Sequence, residues 1–277
     1  MECVLENITV HYETFGEGDP IVILPGWGIP ARLMEHLVEP SFQDRNGWQR
    51  IYIDPPGHGK TAGKDSIKNQ DQILDVVLAA VDKITEGKNY SLLGLSLGAY
   101  LARGIVLKRP ERVTGIAMIV PVIFAEDNRR TVPPHEVIVE ESMDGIQLTK
   151  MEEFIWSMSV VHTRKWLEEI RAFPESSDGE NGNAEFLNQI RTDPAKYAFS
   201  FDVDALPAPF ERPSLIVTGR QDSSVGYVDA FSLLKNYPRA SYAVLDRMGH
   251  LSEDSQETIG FLMNIWLDRV EESNKNR

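Results

Sequence analysis

The five residues 94–98 (GLSLG) constrain this chain more than any other stretch. They fit the pattern G-x-S-x-G, in which a serine occupies a sharp turn between a strand and a helix. Side chains two residues before and after the serine would collide in such a turn, and glycine removes the colliding atoms because it has no Cβ. The surroundings agree with this interpretation. Residues 90–95 form a short apolar run typical of a buried strand, and residues 97–109 have a helical pattern that stops before Pro110.

Short apolar runs alternate with helical patterns along most of the chain. The runs that predict strands lie at 2–15 (two short strands), 20–24, 50–53, 90–95, 113–120, 214–218 and 241–245. Strands that alternate with helices indicate a mostly parallel sheet with helices on both faces. From Pro121 to about Pro209 the strand runs stop, and helical patterns follow one another at 134–148, 149–160, 163–172 and 184–200. The sequence therefore predicts an α/β core of residues 1–121 and 210–277, with residues 122–209 as an insertion.

The composition narrows the classes of partner. The chain has 277 residues, 42% of them hydrophobic, which is enough to bury a large core. Its net charge of −14 disfavours nucleic acid and anionic membranes as partners. Much of that charge lies in residues 122–205, which hold 8 Lys/Arg against 17 Asp/Glu, a balance of −9. This acidic stretch is either a solvated surface that aids solubility or a surface that selects substrates by charge.

Cysteine usage and hydropathy predict a cytoplasmic protein. Cys3 is the single cysteine, so the chain forms no internal disulfide and fits a reducing compartment. No stretch approaches the roughly 20 apolar residues of a membrane span. The first residues lack the basic start and apolar run of a signal peptide.

A serine hydroxyl needs a base to take its proton and a third group to orient that base. The histidines are His11, His36, His58, His135, His162 and His250. Only His250 follows a late predicted strand in a loop, and Asp222 follows the preceding strand. Sites in open parallel sheets collect at the carboxyl ends of strands, where Ser96 also lies. Asp246 competes with Asp222 because it is closer to His250 in sequence. No histidine pair or cysteine cluster has the spacing of metal ligands.

Taken together, these motifs resemble the α/β-hydrolase family over essentially the whole chain. The matching pieces, in family order and at family spacing, are residues 24–28 (LPGWG), 54–59 (DPPGHG), 94–98 (GLSLG), 219–222 (GRQD) and 249–250 (GH). The resemblance implies an α/β-hydrolase fold with an eight-stranded mostly parallel sheet, helices on both faces and a helical cap. It implies that Ser96 is the nucleophile, Asp222 the orienting carboxylate and His250 the general base and then acid. Some relatives place the acid after the strand that follows the nucleophile helix, where Glu126 and Asp127 come several residues too late.

The same resemblance assigns an oxyanion hole and a substrate pocket. The backbone N–H groups of Trp27 and Leu97 would hold the oxyanion, and residues 122–209 would correspond to the variable cap. The side chains of Trp27 and Trp156 are candidates for contact with the substrate.

The function that we expect is cofactor-free hydrolysis of a small-molecule carboxylic ester through an acyl-enzyme on Ser96. A thioester, a lactone or a C–C bond is also compatible with this machinery. Two further alternatives are an amidase similar to proline iminopeptidases and a ligand-binding protein on the same fold with little or no catalysis. The sequence leaves the physiological substrate and the oligomeric state open.

Overall fold

The computed structural model describes residues 1–172, 183–251 and 253–275. Its strands are β1 (Glu2–Val4), β2 (Thr9–Phe15), β3 (Asp19–Leu24), β4 (Trp48–Ile53), β5 (Tyr90–Leu95), β6 (Val113–Ile119), β7 (Val139–Glu140), β8 (Val161–His162), β9 (Ser214–Gly219) and β10 (Ala240–Leu245). Its α-helices are α1 (Glu35–Val38), α2 (Gln70–Ile84), α3 (Leu97–Lys108), α4 (Lys150–Met158), α5 (Arg164–Ala172), α6 (Asn183–Arg191), α7 (Pro194–Tyr197) and α8 (Gln256–Lys275). Short 3₁₀ helices span Ala31–Met34, Glu39–Phe42, Asp127–Arg129, Asp229–Lys235 and Glu253–Ser255.

Eight strands form one sheet in the order β1-β2-β4-β3-β5-β6-β9-β10. The pairs β1–β2 and β2–β4 are antiparallel, and every other pair in this sheet is parallel. The predicted eight-stranded, mostly parallel sheet is thus confirmed. Strands β6 and β9 are buried along their whole length, which explains why they read as continuous apolar runs rather than alternating ones.

Helices cover the sheet in two groups. The first group is α2 and α3, with α3 packed against β3, β5 and β6. The second group is α1 and α8, with α8 packed against β6 and β9. The buried stripe of α8 is Ile259, Met263, Trp266, Leu267 and Val270. None of the described helices combines the length and the apolar character needed to cross a bilayer.

The connection from β6 to β9, here called the inserted segment (residues 122–209), differs in part from its predicted pattern. Two of its predicted helices are present as α4 and α5. The helix predicted at 134–148 is wrong, because this stretch is irregular apart from β7, which pairs in parallel with β8. Pro133 and Pro134 supply no backbone N–H, and the β-branched run at 137–139 favours an extended chain. The helix predicted at 184–200 is two helices, because Asp193 caps a new one, accepting from Ala195 N at 3.0 Å.

The turn from β5 into α3 depends on two glycines. A Cβ on Gly94 would lie 2.4 Å from the backbone nitrogen of Ala99. A Cβ on Gly98 would lie 2.0 Å from the carbonyl oxygen of Leu24, at the end of β3. Since these neighbours are backbone atoms of the sheet and its helix, neither can move aside cheaply. The predicted role of both glycines is confirmed.

We expect Gly98→Ala to lower the free energy of unfolding by at least about 2 kcal/mol, because overpacking against rigid atoms costs on the order of 1–3 kcal/mol or more. The matched control is Gly260→Ala in α8, where the nearest atom to an added Cβ is the Ser41 hydroxyl at 3.8 Å. That change should be neutral or stabilise by about 0.5–1 kcal/mol, since alanine is the better helix former. Urea unfolding of both variants tests this, and equal stabilities would contradict the close packing at Gly98.

Candidate active site

Ser96 sits in a backbone conformation that few residues adopt. Its φ is 53° and its ψ is −110°, between the last residue of β5 and the first residue of α3. The surrounding backbone holds it there. Its N–H donates to Ile119 O at 2.8 Å, and its carbonyl oxygen accepts from the N–H groups of Ala99 and Tyr100 at 3.1 and 3.2 Å. A strained residue that is held from both sides in this way is typical of functional sites.

The structure brings Ser96, His250 and Asp222 together in one hydrogen-bonded chain. The Ser96 Oγ lies 3.0 Å from His250 Nε2, and His250 Nδ1 lies 2.9 Å from Asp222 Oδ2. An ionised carboxylate only accepts hydrogen bonds, so Nδ1 carries the proton in this pair. In the neutral imidazole, Nε2 is then the acceptor for the Ser96 hydroxyl. The arrangement can therefore take a proton from Ser96.

Asp222 is the buried member of the chain, with no exposed side-chain surface. Its Oδ1 accepts from the N–H groups of Ser224 at 2.8 Å and Val225 at 3.0 Å, in the loop after β9. Burial alone would raise the pKa of this carboxyl. The charge and hydrogen bond of His250 and the two N–H groups outweigh burial, so the pKa of Asp222 lies below its ordinary value.

The competing acids are engaged elsewhere. Asp246 is exposed, and its carboxylate accepts from Gln221 Nε2 at 2.7 Å. Asp127 lies 2.8 Å from both Arg130 and Arg191, and Glu126 pairs with Arg129 at 3.2 Å. Of the four acids considered in the sequence, only Asp222 contacts His250.

The loop after β3 lies directly beside Ser96. A Cβ placed on Gly26 would be 3.7 Å from the Ser96 Cβ. In the part of the chain that the structure describes, the backbone N–H groups of Trp27 and Leu97 donate to no protein acceptor. Leu97 begins α3, where the helix dipole favours negative charge. The role of both groups as oxyanion donors stays a prediction.

Asp54 supports this loop, a contact that the sequence analysis does not identify. Its Oδ1 accepts from Ala31 N at 2.7 Å, and its Oδ2 accepts from Lys60 N at 3.0 Å. Its position at the start of the 54–59 motif is the only signal in the sequence. Lys60 directly follows the motif, but Ala31 begins the 3₁₀ helix after β3, so local pattern gives no indication of that contact.

The two tryptophans predicted to contact the substrate lie in different surroundings. Trp27 is half-buried and meets the rings of His58 and Tyr197 edge-on, with centroids 5.5 and 5.1 Å away. Trp156 lies on α4 and stacks on the imidazole of His162 at 4.5 Å, which joins two residues of the inserted segment. Contact of either indole with substrate stays a prediction.

His58 stands outside the Ser96 chain. Its ring is 1% exposed, and its Nδ1 donates to Pro56 O at 3.1 Å, within the turn that follows β4. Burial is the main cause that lowers its pKa to about 4, so the ring is neutral at pH 7. Among the described residues, no group of three or more His, Cys, Asp and Glu side chains is placed to hold a metal ion.

Comparison with known proteins agrees with this architecture. The family model for serine aminopeptidase, S33, matches residues 19–170, more than half of the chain. A pimeloyl-[acyl-carrier protein] methyl ester esterase of Aeromonas hydrophila is 25% identical over 251 residues, covering 88% of this chain and 92% of the relative. The enzyme of the same name from Nitrosomonas europaea is 32% identical over 112 residues, or 40% of each chain. An alpha/beta superfamily hydrolase from Oenococcus oeni PSU-1 has a TM-score of 0.84, with 26% identity and coverage of 98% and 99%.

The lowered pKa of Asp222 makes a prediction about stability and pH. A carboxyl whose pKa is lower in the folded than in the unfolded protein stabilises the fold above its unfolded value, and loses that contribution as pH falls through the folded value. We therefore expect the difference in unfolding free energy between wild type and Asp222→Asn to shrink as pH falls below about 4, since the ordinary value is 3.8. Urea unfolding at intervals from pH 5 to pH 2.5 measures it. A difference that grows toward acid pH would show the opposite shift.

Proposed function

Because the chain belongs to the serine aminopeptidase S33 family of α/β-hydrolases, we propose that it hydrolyses small-molecule carboxylic esters through an acyl-enzyme on Ser96. The observation that carries this proposal is the hydrogen-bonded chain from Ser96 Oγ through His250 to Asp222. Ser96 lies at a strained turn, close to the backbone N–H groups of Trp27 and Leu97, which donate to no acceptor among the described residues. This combination of nucleophile, base, orienting acid and oxyanion donors is what acyl transfer requires.

In the first half of the reaction, Ser96 Oγ attacks the carbonyl carbon while His250 Nε2 takes the hydroxyl proton. The carbonyl oxygen becomes an oxyanion and accepts from the N–H groups of Trp27 and Leu97. Such donors stabilise charge that exists only after attack, which makes them worth more to the transition state than to the substrate. The protonated His250 then gives its proton to the leaving alkoxide, and the alcohol departs.

In the second half, water replaces the alcohol. His250 Nε2 takes a proton from water, the hydroxide attacks the acyl carbon, and the proton returns to Ser96 Oγ as the acid leaves. Asp222 stays ionised throughout, keeps the proton on His250 Nδ1 and stabilises the imidazolium. No step uses a cofactor.

We propose that residues 122–209 form a cap over Ser96, with residues 1–121 and 210–277 as the core domain. Three contacts between the two parts support this. Tyr197 of α7 meets the ring of Trp27. Phe186 of α6 packs so closely on the 57–63 loop that a Cβ on Gly57 would lie 2.5 Å from its ring. Asn183 Oδ1 accepts from Gly63 N at 3.0 Å. Trp27 is therefore our candidate wall of the pocket, and Trp156 is a second candidate from within the cap.

An ester is the substrate class that the relatives favour, since the two curated enzymes described above are named methyl ester esterases. A thioester, a lactone or a C–C bond remains a variant of the same chemistry. The second candidate is aminopeptidase activity, favoured by the description of the matching family model. Turnover of an ester, a lactone and an aminoacyl amide by the same preparation separates these activities. A binding protein without catalysis would turn over none of them.

We expect a fluorophosphonate probe to label one residue, Ser96. Ser96→Ala should abolish labelling and should lower kcat for a p-nitrophenyl ester by about 10⁴-fold or more, as removal of a nucleophile does in comparable triads. Mass spectrometry of the labelled peptide and initial-rate kinetics measure the two effects. The matched control is Ser157→Ala, an exposed serine on α4. Labelling that survives in Ser96→Ala would refute the assignment of the nucleophile.

The acidic inserted segment makes a prediction about substrate charge. Its balance of about −9 between residues 122 and 205 should place a negative potential at the entrance if it covers Ser96. That potential should slow the approach of a carboxylate-bearing ester, so its neutral short-chain analogue should have a higher kcat/KM. The difference should be only about tenfold, because exposed charges are screened beyond about 8 Å at physiological ionic strength. Added salt should narrow the gap, mainly by accelerating the anionic ester.

Measuring kcat/KM for both esters at about 20 and 500 mM salt tests whether the acidic side chains face the entrance, since the Debye length falls several-fold across that range. A ratio that does not change with salt would mean that the acidic side chains face bulk solvent away from the entrance. Ser96→Ala, assayed in parallel, gives the background rate for each ester.

A further inference from the structure

Arg130, from the inserted segment, hydrogen-bonds to the loop that carries Asp222. Asp222 Oδ1 accepts from Ser224 N, and the carbonyl oxygen of the same Ser224 accepts from Arg130 Nη1 at 3.0 Å. One peptide residue therefore links the guanidinium to the carboxylate. Arg130 comes from the start of the inserted segment, more than 90 residues from this loop in sequence.

The other donors of Arg130 tie it to its own segment. Nε donates to Phe124 O at 2.9 Å and Nη2 to Ala125 O at 3.1 Å, while Nη1 also faces Asp127 Oδ1 at 2.8 Å. The side chain is 7% exposed. A guanidinium has five N–H donors in a rigid plane, and three of them here bond to three different carbonyl oxygens while Asp127 balances the charge. A lysine ammonium has no such fork and cannot span the same acceptors.

Two further contacts lock this segment onto the acid loop. Thr131 N donates to Asp229 Oδ2 at 2.7 Å, which fixes the residues after Arg130. A Cβ on Gly226 would lie 2.2 Å from Thr131 O, so the two backbones are in direct contact. The position of the acid loop therefore depends on the segment that Arg130 organises.

We propose that Arg130 is a positioning residue for the reaction: it fixes the Asp222 loop and thereby the orientation of the His250 imidazole. This inference rests on the proposed function, since it gives Arg130 a role only through Asp222. The residue touches neither Ser96 nor His250. It joins the inserted segment to the acid, so the part of the chain proposed to bind substrate also holds the acid in place.

The first test is Arg130→Met, which keeps the length of the side chain and removes all its donors. We expect kcat for a p-nitrophenyl ester to fall by roughly 10- to 100-fold with KM changed less than about twofold, because a misplacement of about 1 Å costs up to 10²-fold. Arg129→Met is the matched control. Arg129 is the preceding residue, its side chain is 56% exposed, and its partner is the Glu126 carboxylate. Equal kcat in both variants would overturn the proposal.

The second test combines Arg130→Met with Asp222→Asn. If Arg130 acts through Asp222, the double variant should lose little more than Asp222→Asn alone, since residues that act as a unit are not additive. If the two losses multiply, Arg130 acts by another route and the proposal fails. If Asp222→Asn itself leaves kcat unchanged, the proposed triad fails first. The two failures are therefore distinguishable.

The third test keeps the proposal open to refutation if Arg130→Met does not fold. Arg130→Lys retains the positive charge but not the fork, and we expect it to lose at least about tenfold in kcat on the same argument. Guanidinium at 5–50 mM, added to Arg130→Ala, should restore part of kcat, while the same concentrations of urea and sodium chloride should not. Full activity of Arg130→Lys would show that charge alone suffices, and would overturn the positioning role.

Discussion

The structure depends on one strained turn, the junction at Ser96 between β5 and α3. A non-glycine residue with φ of 53° is unfavourable by roughly 1–3 kcal/mol and persists only where its surroundings fix it. Here the fixing is done by the backbone of β6, through Ile119 O, and by the first turn of α3. Gly98 allows α3 to begin against the end of β3. The close contact between α3 and the end of β3 also sets the loop after β3 beside Ser96, where a Cβ on Gly26 would lie 3.7 Å from the Ser96 Cβ. The strained turn and the proposed oxyanion donors therefore depend on the same packing.

The three side chains of the candidate site could be predicted from the sequence because each follows the carboxyl end of a parallel strand, β5, β9 or β10. Strands β6 and β9 are buried on both faces and therefore read as uninterrupted apolar runs. Each apolar run ends in a short polar loop, so only a few acidic residues and histidines are candidates for the orienting acid and the general base. Ser96 and His250 are 154 residues apart in sequence, yet parallel topology sends both loops to the same edge of the sheet. Fold class and the three side chains followed from that rule.

The inserted segment could not be predicted as well, for two physical reasons. Its elements are short and amphipathic, so the local pattern does not separate the irregular stretch at 134–148 from a helix. The partner of β7 is β8, about twenty residues later, and pairing at that distance leaves no local signal. The role of Arg130 could not be predicted from the sequence, for a different reason. Its acceptors are mostly backbone carbonyls, and any residue type supplies a carbonyl, so no sequence pattern marks them.

The inserted segment is joined to the residues around Ser96 and Asp222 by two arginines, Arg103 and Arg130. Arg103 on α3 is fully buried and contacts both ends of the segment: it pairs with Asp204 at 3.0 Å and donates to Val122 O at 2.8 Å. Val122 in turn donates its N–H to Ser96 O at 3.4 Å. A buried cation of this kind would be costly without its partners, so each arginine ties its acceptors to one arrangement. Arg103 thereby links the segment to the nucleophile, and Arg130 links it to the acid.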